Sequence, residues 1–158
     1  MAALDWFESI LADGERIRKI KDELAILDAQ IGPRSQGYEP MGHGSGGGSD
    51  AILGMALVSA RLGELRQLLP LIERRHTEKI ERATQVLYGK SGRGGVAKAV
   101  GTDDADMLCY HYLQGESWAS ISRRFEPETS NLTVWCQRRA AWVCKQIDRI
   151  GMPTLAES

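Results

Sequence analysis

A chain of 158 residues, 42% hydrophobic and 26% charged, holds enough apolar material for one ordinary domain or a small domain with an extended helical element, which excludes a disordered polymer. Twenty Lys and Arg stand against 21 Asp and Glu, a net charge of −1, so a whole-chain basic excess is excluded and any attraction to polyanions must be local. The odd cysteines Cys109, Cys136 and Cys144 lack CxxC spacing and read as reduced core thiols.

The elements are all helical. A short helix is expected over 2–12, with Leu4, Phe7 and Leu11 on one face, and Asp13 as the cap of a second helix over 15–31. In that second helix Ile17, Ile20, Leu24, Leu27 and Ile31 alternate spacings of three and four, the narrow stripe of a heptad seam. Gly32-Pro33 stops it, and the glycines at 37, 42, 44, 46, 47 and 48 predict a flexible loop over 32–50. Ser49 or Asp50 then caps a long helix to about Tyr88, striped by Val58, Leu62, Leu65, Leu69, Ile72, His76, Ile80, Ala83 and Leu87. Pro70 lies inside it and is expected to kink or split it. Together these elements predict an antiparallel coiled-coil hairpin, domain 1–88. Its longer arm has apolar stripe to spare, which predicts a homo-oligomer, a dimer, through the coiled coil.

A basic Gly-rich linker is expected over 89–102, carrying Lys90, Arg93 and Lys98 without an acid. Thr102 is the expected cap of the next helix, with Asp103 and Asp104 in its first turn, and Gly115 its end. A short helix beginning at Trp118 follows, then a break at Glu126-Pro127-Glu128-Thr129, then Ser130 as cap of a last helix to Ile150. Helices with two tight breaks, the last carrying paired arginines, present themselves as a helix-turn-helix domain over 103–151, with 152–158 as a tail. The fold class is therefore all-α: a coiled-coil hairpin plus a helix-turn-helix.

Chemistry is sparse. Gly89-Lys90-Ser91 is not a phosphate-binding loop, because position 84 is Thr and a helix precedes it. His43, His76 and His111 have no ligand partner at useful spacing, and no nucleophile–base set or carboxylate pair stands out. The chain reads as no enzyme, with no catalytic residue, cofactor or metal. From Trp118 to Ile150, however, Arg123, Arg124, Arg138, Arg139, Lys145 and Arg149 outnumber Glu126, Glu128 and Asp148 by three. With Val134, Ala141, Cys144 and Ile147 as the inward stripe, the outer face of the last helix carries Asn131, Trp135, Arg138, Arg139, Trp142 and Lys145. Arg reads guanine and Asn adenine through paired hydrogen bonds. Asn131, Thr133, Trp135, Arg138 and Arg139 are accordingly the base-reading candidates for double-stranded DNA, and Arg123, Arg124, Ser130 and Lys145 the phosphate candidates. The start of the chain has Asp5 and Glu8 and does not read as a signal peptide, and no segment approaches the roughly 20 apolar residues of a membrane span.

The segment from Leu108 to Ser122, followed by Ser130-Asn131-Leu132-Thr133-Val134 and Ala140, resembles phage-encoded, sigma factor region four-like regulators, including the ArpU and RinA types of late-gene activator. The heptad helix, the loop from Pro40 to Asp50 and the long second helix look like the same group. Ile121 to Ser130 is longer than the usual pattern, and Ser130 to Ala140 shorter. The resemblance implies a transcription regulator of phage or prophage origin in the bacterial host cytoplasm, binding duplex DNA near structural or packaging genes, with host RNA polymerase as a further partner. Two rivals share the pattern: a DNA-packaging recognition protein of the small-terminase kind, and an adaptor that docks on polymerase without touching DNA.

Overall fold

The computed structural model describes residues 1–31, 48–125 and 132–158. Among them every regular element is helical: α1 (Ala3–Ile31), α2 (Gly48–Tyr88), α3 (Gly95–Ala99), α4 (Thr102–Leu108) continued by a π-helical turn (Cys109–Leu113), α5 (Trp118–Phe125), α6 (Leu132–Ile150) and α7 (Met152–Glu157). Five features differ from the sequence expectation.

The two helices expected over 2–12 and 15–31 are one. Asp13 does not cap; its carboxylate takes the Lys79 ammonium at 2.5 Å. Gly14 stays helical, and a Cβ there would stand only 3.4 Å from the His76 ring. Glycine inside a helix carries its usual cost of about 1 kcal/mol. Nor does Pro70 split α2, which is continuous across it with Pro70 exposed. Thr102 is the first helical residue rather than the cap, a place taken by Gly101.

The stretch expected as a flexible linker is built. Gly94, Gly95 and Val96 are buried, and Gly95 N–H donates to Ser158 Oγ at 2.7 Å. Gly95 holds φ +62°, and a Cβ on it would stand 2.5 Å from the Val86 carbonyl oxygen. Its place in the sequence is therefore a packing requirement rather than a source of freedom. The expected tail likewise forms α7, with Leu155 buried.

Two compact units result. The first comprises 1–15 and 75–158, so its boundaries cut through α1 and α2 rather than falling at Tyr88. Its core joins Phe7 and Ile10 of α1, Val86 and Leu87 of α2, Val96, Met107 and Leu108, Ile121, and Val143 and Ile147 of α6. The start of α1 is itself capped from α6: Ala3 N–H donates to Asp148 Oδ1 at 2.8 Å. The second unit comprises 16–74. There Ile17, Ile20, Leu62 and Leu65 are buried, and Leu24, Leu27, Leu69 and Ile72 half-buried, the striped residues of both helices. Lys21 pairs with Glu73 at 2.7 Å and Asp28 with Arg66 at 2.7 Å, so position rises along one helix as it falls along the other.

Candidate nucleic-acid interface

The region from α4 to α6 is assembled by short-range capping and one long-range ion pair. At the end of the π-helical turn, Gly115 takes φ +73° and Glu116 N–H returns to the Tyr110 carbonyl at 2.9 Å, a glycine stop of the expected kind. Ser117 caps α5, its Oγ accepting Ser120 N–H at 3.2 Å. The chain turns on an aromatic stack: the Trp118 ring lies 3.8 Å from the His111 ring, centre to centre, and Tyr112 meets Trp118 edge-on. His111 Nδ1 lies 2.7 Å from the Glu116 carbonyl oxygen, the tautomer that donates there being the one this contact selects. Burial holds His111 below the usual imidazole range, against the raising effect of that carbonyl.

Ile121 is fully buried and Ser122 nearly so; the Ser122 hydroxyl donates to the Ala119 carbonyl and sits 3.4 Å from Thr133 Oγ1 at the start of α6. Thr133, expected to read bases, is thus half-buried at the α5–α6 junction.

The buried stripe of α6 is Cys136, Ala140, Val143, Cys144 and Ile147. This corrects the expected stripe: Val134 is 47% exposed and Ala141 only half-buried. Burial pushes the Cys144 thiol up to about 12 and raises the Cys136 thiol too, as inert core sulfurs require.

Turned this way, α6 presents Trp135, Arg138, Trp142, Lys145 and Arg149 along one exposed line, at alternating spacings of three and four. The line holds two aromatics, three bases and no acid. Trp135 is 50% and Trp142 42% exposed. Arg138, Lys145 and Arg123 make no ion pair among the described residues. Arg124, by contrast, is engaged: it pairs with Glu116 at 2.7 Å and lies over the Tyr110 ring at 4.4 Å, while keeping half its side chain in solvent. Asn131 and Ser130 lie outside the described residues.

Arg139 is engaged within the chain. Its Nε and Nη2 donate to the two carboxylate oxygens of Asp104 at 2.7 and 2.8 Å, and its guanidinium covers the Trp142 ring at 4.2 Å. Asp104 is only 7% exposed, and its carboxylate holds Arg139 above even the ordinary guanidinium range. These two bonds use two of the five N–H donors of the guanidinium. Arg139 braces α4 to α6 through this fork.

Two participants escaped the sequence reading. Asp104 read as an anion favoured by the start of its helix, and its second role needs a partner 35 residues away. Arg149 completes the exposed line, and the seven-residue repeat of Trp135–Trp142 and Arg138–Lys145 was signal enough to find it. Among the described residues, no three His, Cys, Asp or Glu side chains gather as metal ligands, and no helix is long and apolar enough to cross a membrane. Comparison of the chain with protein-family models, with curated proteins and with solved structures found no match.

Proposed function

We propose that this protein binds double-stranded DNA through the exposed face of α6, as a transcription regulator of the sigma region four-like kind carried by phages. The observation that carries the reading is the acid-free line Trp135–Arg138–Trp142–Lys145–Arg149 on a helix locked to α4 and α5. A helix of this bearing suits a major groove, with α5 lying toward the sugar-phosphate edge. Arg138, at the N-terminal half and without an ion-pair partner among the described residues, is the candidate for a paired contact to guanine. Arg123, Lys145 and Arg149 are suited to phosphates, which fix the frame without reading sequence. Arg139 positions Trp142 and the helix phase. The antiparallel running of the ion pairs in the second unit is compatible with a coiled-coil hairpin ahead of a helix-turn-helix, and the motif resemblance from Leu108 to Ala140 adds to the same reading.

Selection of bound duplexes from a random library, followed by anisotropy titration on the selected site, tests it. Arg138→Ala should weaken the selected site by about 1–3 kcal/mol while barely changing a scrambled duplex. Three phosphate contacts would give a log–log salt slope of about −2.7. If no duplex is retained at moderate salt, the reading fails.

The exposed Trp135 and Trp142 favour one second reading, since large aromatics flanking an Arg are the usual anchors of a protein interface. That is the polymerase-docking adaptor. Capture of core RNA polymerase by a chain that retains no duplex would select it.

A further inference from the structure

Val134 is an apolar side chain that α6 turns away from the core. It is 47% exposed, occupies the third position of the helix and stands outside the buried stripe. At about 100° per residue, Arg138 points opposite the middle of that stripe, with Val134 about 40° to one side and Trp135 about 60° to the other. The two flanks are not equal. Trp135 borders a pocket with Asp103, Met107, Phe125 and Leu132, so it stands on the side of α4 and α5. Val134 shares its flank with exposed cations instead: Arg138 and Lys145 fall within about 40° of it. An exposed valine is ordinary on any protein surface. What singles this one out is its place among bases, opposite the core, in the N-terminal half of the helix.

The cations fix the occupant as a polyanion, and the valine says what part of it lies there. Its side chain has neither donor nor acceptor, and a helix leaves it essentially one rotamer, so it discriminates by apolar contact alone. The major groove of duplex DNA is lined by hydrogen-bonding edges, and the apolar group among them is the 5-methyl of thymine. Helix geometry then sets the register. One turn separates Val134 from Arg138, about 6 Å along the axis, against roughly 3.4 Å per base step. A thymine under Val134 therefore lies within about two steps of a guanine under Arg138.

We infer that Val134 is a specificity-determining residue, taking the 5-methyl group of a thymine close to the guanine that Arg138 contacts. The inference rests on the DNA-binding reading above and adds a second base to the site.

Anisotropy titration of the full chain on the duplex selected from a random library tests it. The guanine is located first, as the position whose replacement weakens the wild type but not Arg138→Ala. Deoxyuridine then replaces each thymine within that span, removing one methyl and leaving the pairing edge intact. The wild type should lose about fourfold at one such position, the transfer value of one buried methyl. Val134→Ala should bind the thymine duplex more weakly and be nearly indifferent to deoxyuridine there. Its helical circular dichroism should be unchanged, the position being already exposed. Trp135→Ala should keep the fourfold sensitivity. A wild type indifferent to every deoxyuridine overturns the inference and leaves DNA binding standing. So does a sensitivity that Val134→Ala keeps, or one that Trp135→Ala abolishes, or a site in which no guanine depends on Arg138. Retention of no duplex at all sinks both readings.

Discussion

The Arg139–Asp104 pair gives the sharpest test of the α4–α6 geometry. Asp104→Asn keeps the shape of the side chain and removes its charge. Two charge-assisted bonds of 2.7 and 2.8 Å are weakened. A hydrogen bond to a charged group contributes about 1.5–3 kcal/mol, and breaking a fully buried pair costs about 3–5 kcal/mol. Here the burial is one-sided: the Asp104 side chain is 9% exposed but that of Arg139 is 35%, so the orphaned guanidinium recovers part of its hydration. Asp104 also sits in the first turn of α4, where losing an anion costs about 0.3–1 kcal/mol more. The expected loss is therefore about 2 kcal/mol, a fall in Tm of about 4–8 °C at this chain length.

Arg139→Ala should be worse, at about 3 kcal/mol, because it leaves a buried carboxylate without a counter-ion and uncovers Trp142. Urea titrations of the two single variants and the double variant close a cycle whose coupling should be about 1.5–2 kcal/mol. The readout is circular dichroism, with the slope checked for two-state behaviour. Coupling below about 0.3 kcal/mol would refute the reasoning: it would mean that the two side chains do not hold each other in solution, and that Arg139 is free to contact a ligand after all.

Gly95→Ala should destabilise by about 3 kcal/mol by urea titration, since alanine resists φ +62° and its Cβ would press on the Val86 carbonyl oxygen. His76 gives a pH effect of defined sign. Its Nδ1 is buried without a hydrogen-bond partner among the described residues, and burial holds the ring below its ordinary value of 6.5. The unfolded chain therefore binds the proton more readily, so the His76 contribution is fully present above pH 6.5 and is lost as pH falls through the lower folded value. His76→Leu should flatten the stability profile below pH 6.5, and a profile unchanged from wild type would exclude the assignment; His111, shifted the same way by burial, leaves a residual slope. In thiol labelling of the native chain, Cys109, half-buried, should react before Cys136 and Cys144, and equal rates would contradict the placement of α6.

What could be read in advance was whatever repeats. The heptad spacing of Ile17 to Ile31 and of Val58 to Leu87 marks helices and their buried faces without any knowledge of neighbours. Gly115 was legible too, because a helix end of this kind is settled within a few residues. Two of the misreadings needed a distant atom. Asp13-Gly14 reads as a break until Lys79 and the His76 ring are opposite it. The glycines near 95 read as slack until the Val86 carbonyl is found against one of them. In α6 the apolar residues from Val134 to Ile147 fill two adjacent faces, and periodicity alone does not choose between a stripe through Val134 and Ala141 and one through Cys136 and Val143.

The ion pair makes that choice, and this is how a residue turned toward a neighbouring helix shapes the exposed face. Successive residues on a helix point about 100° apart, so Arg138 and Arg139 cannot both face the same way. Once Arg139 is turned to Asp104 on α4, Arg138 is carried to the solvent side with Trp135 one turn before it and Trp142 one turn after. Fully buried Cys136, Val143 and Ile147 require the same rotation independently. Packing and electrostatics therefore agree on one phase for α6. Apolar contacts alone would tolerate a small rotation at modest cost, whereas a two-bond fork does not. Asp104 is thus a residue through which affinity for any ligand of α6 can be lost with every outward-facing side chain left intact.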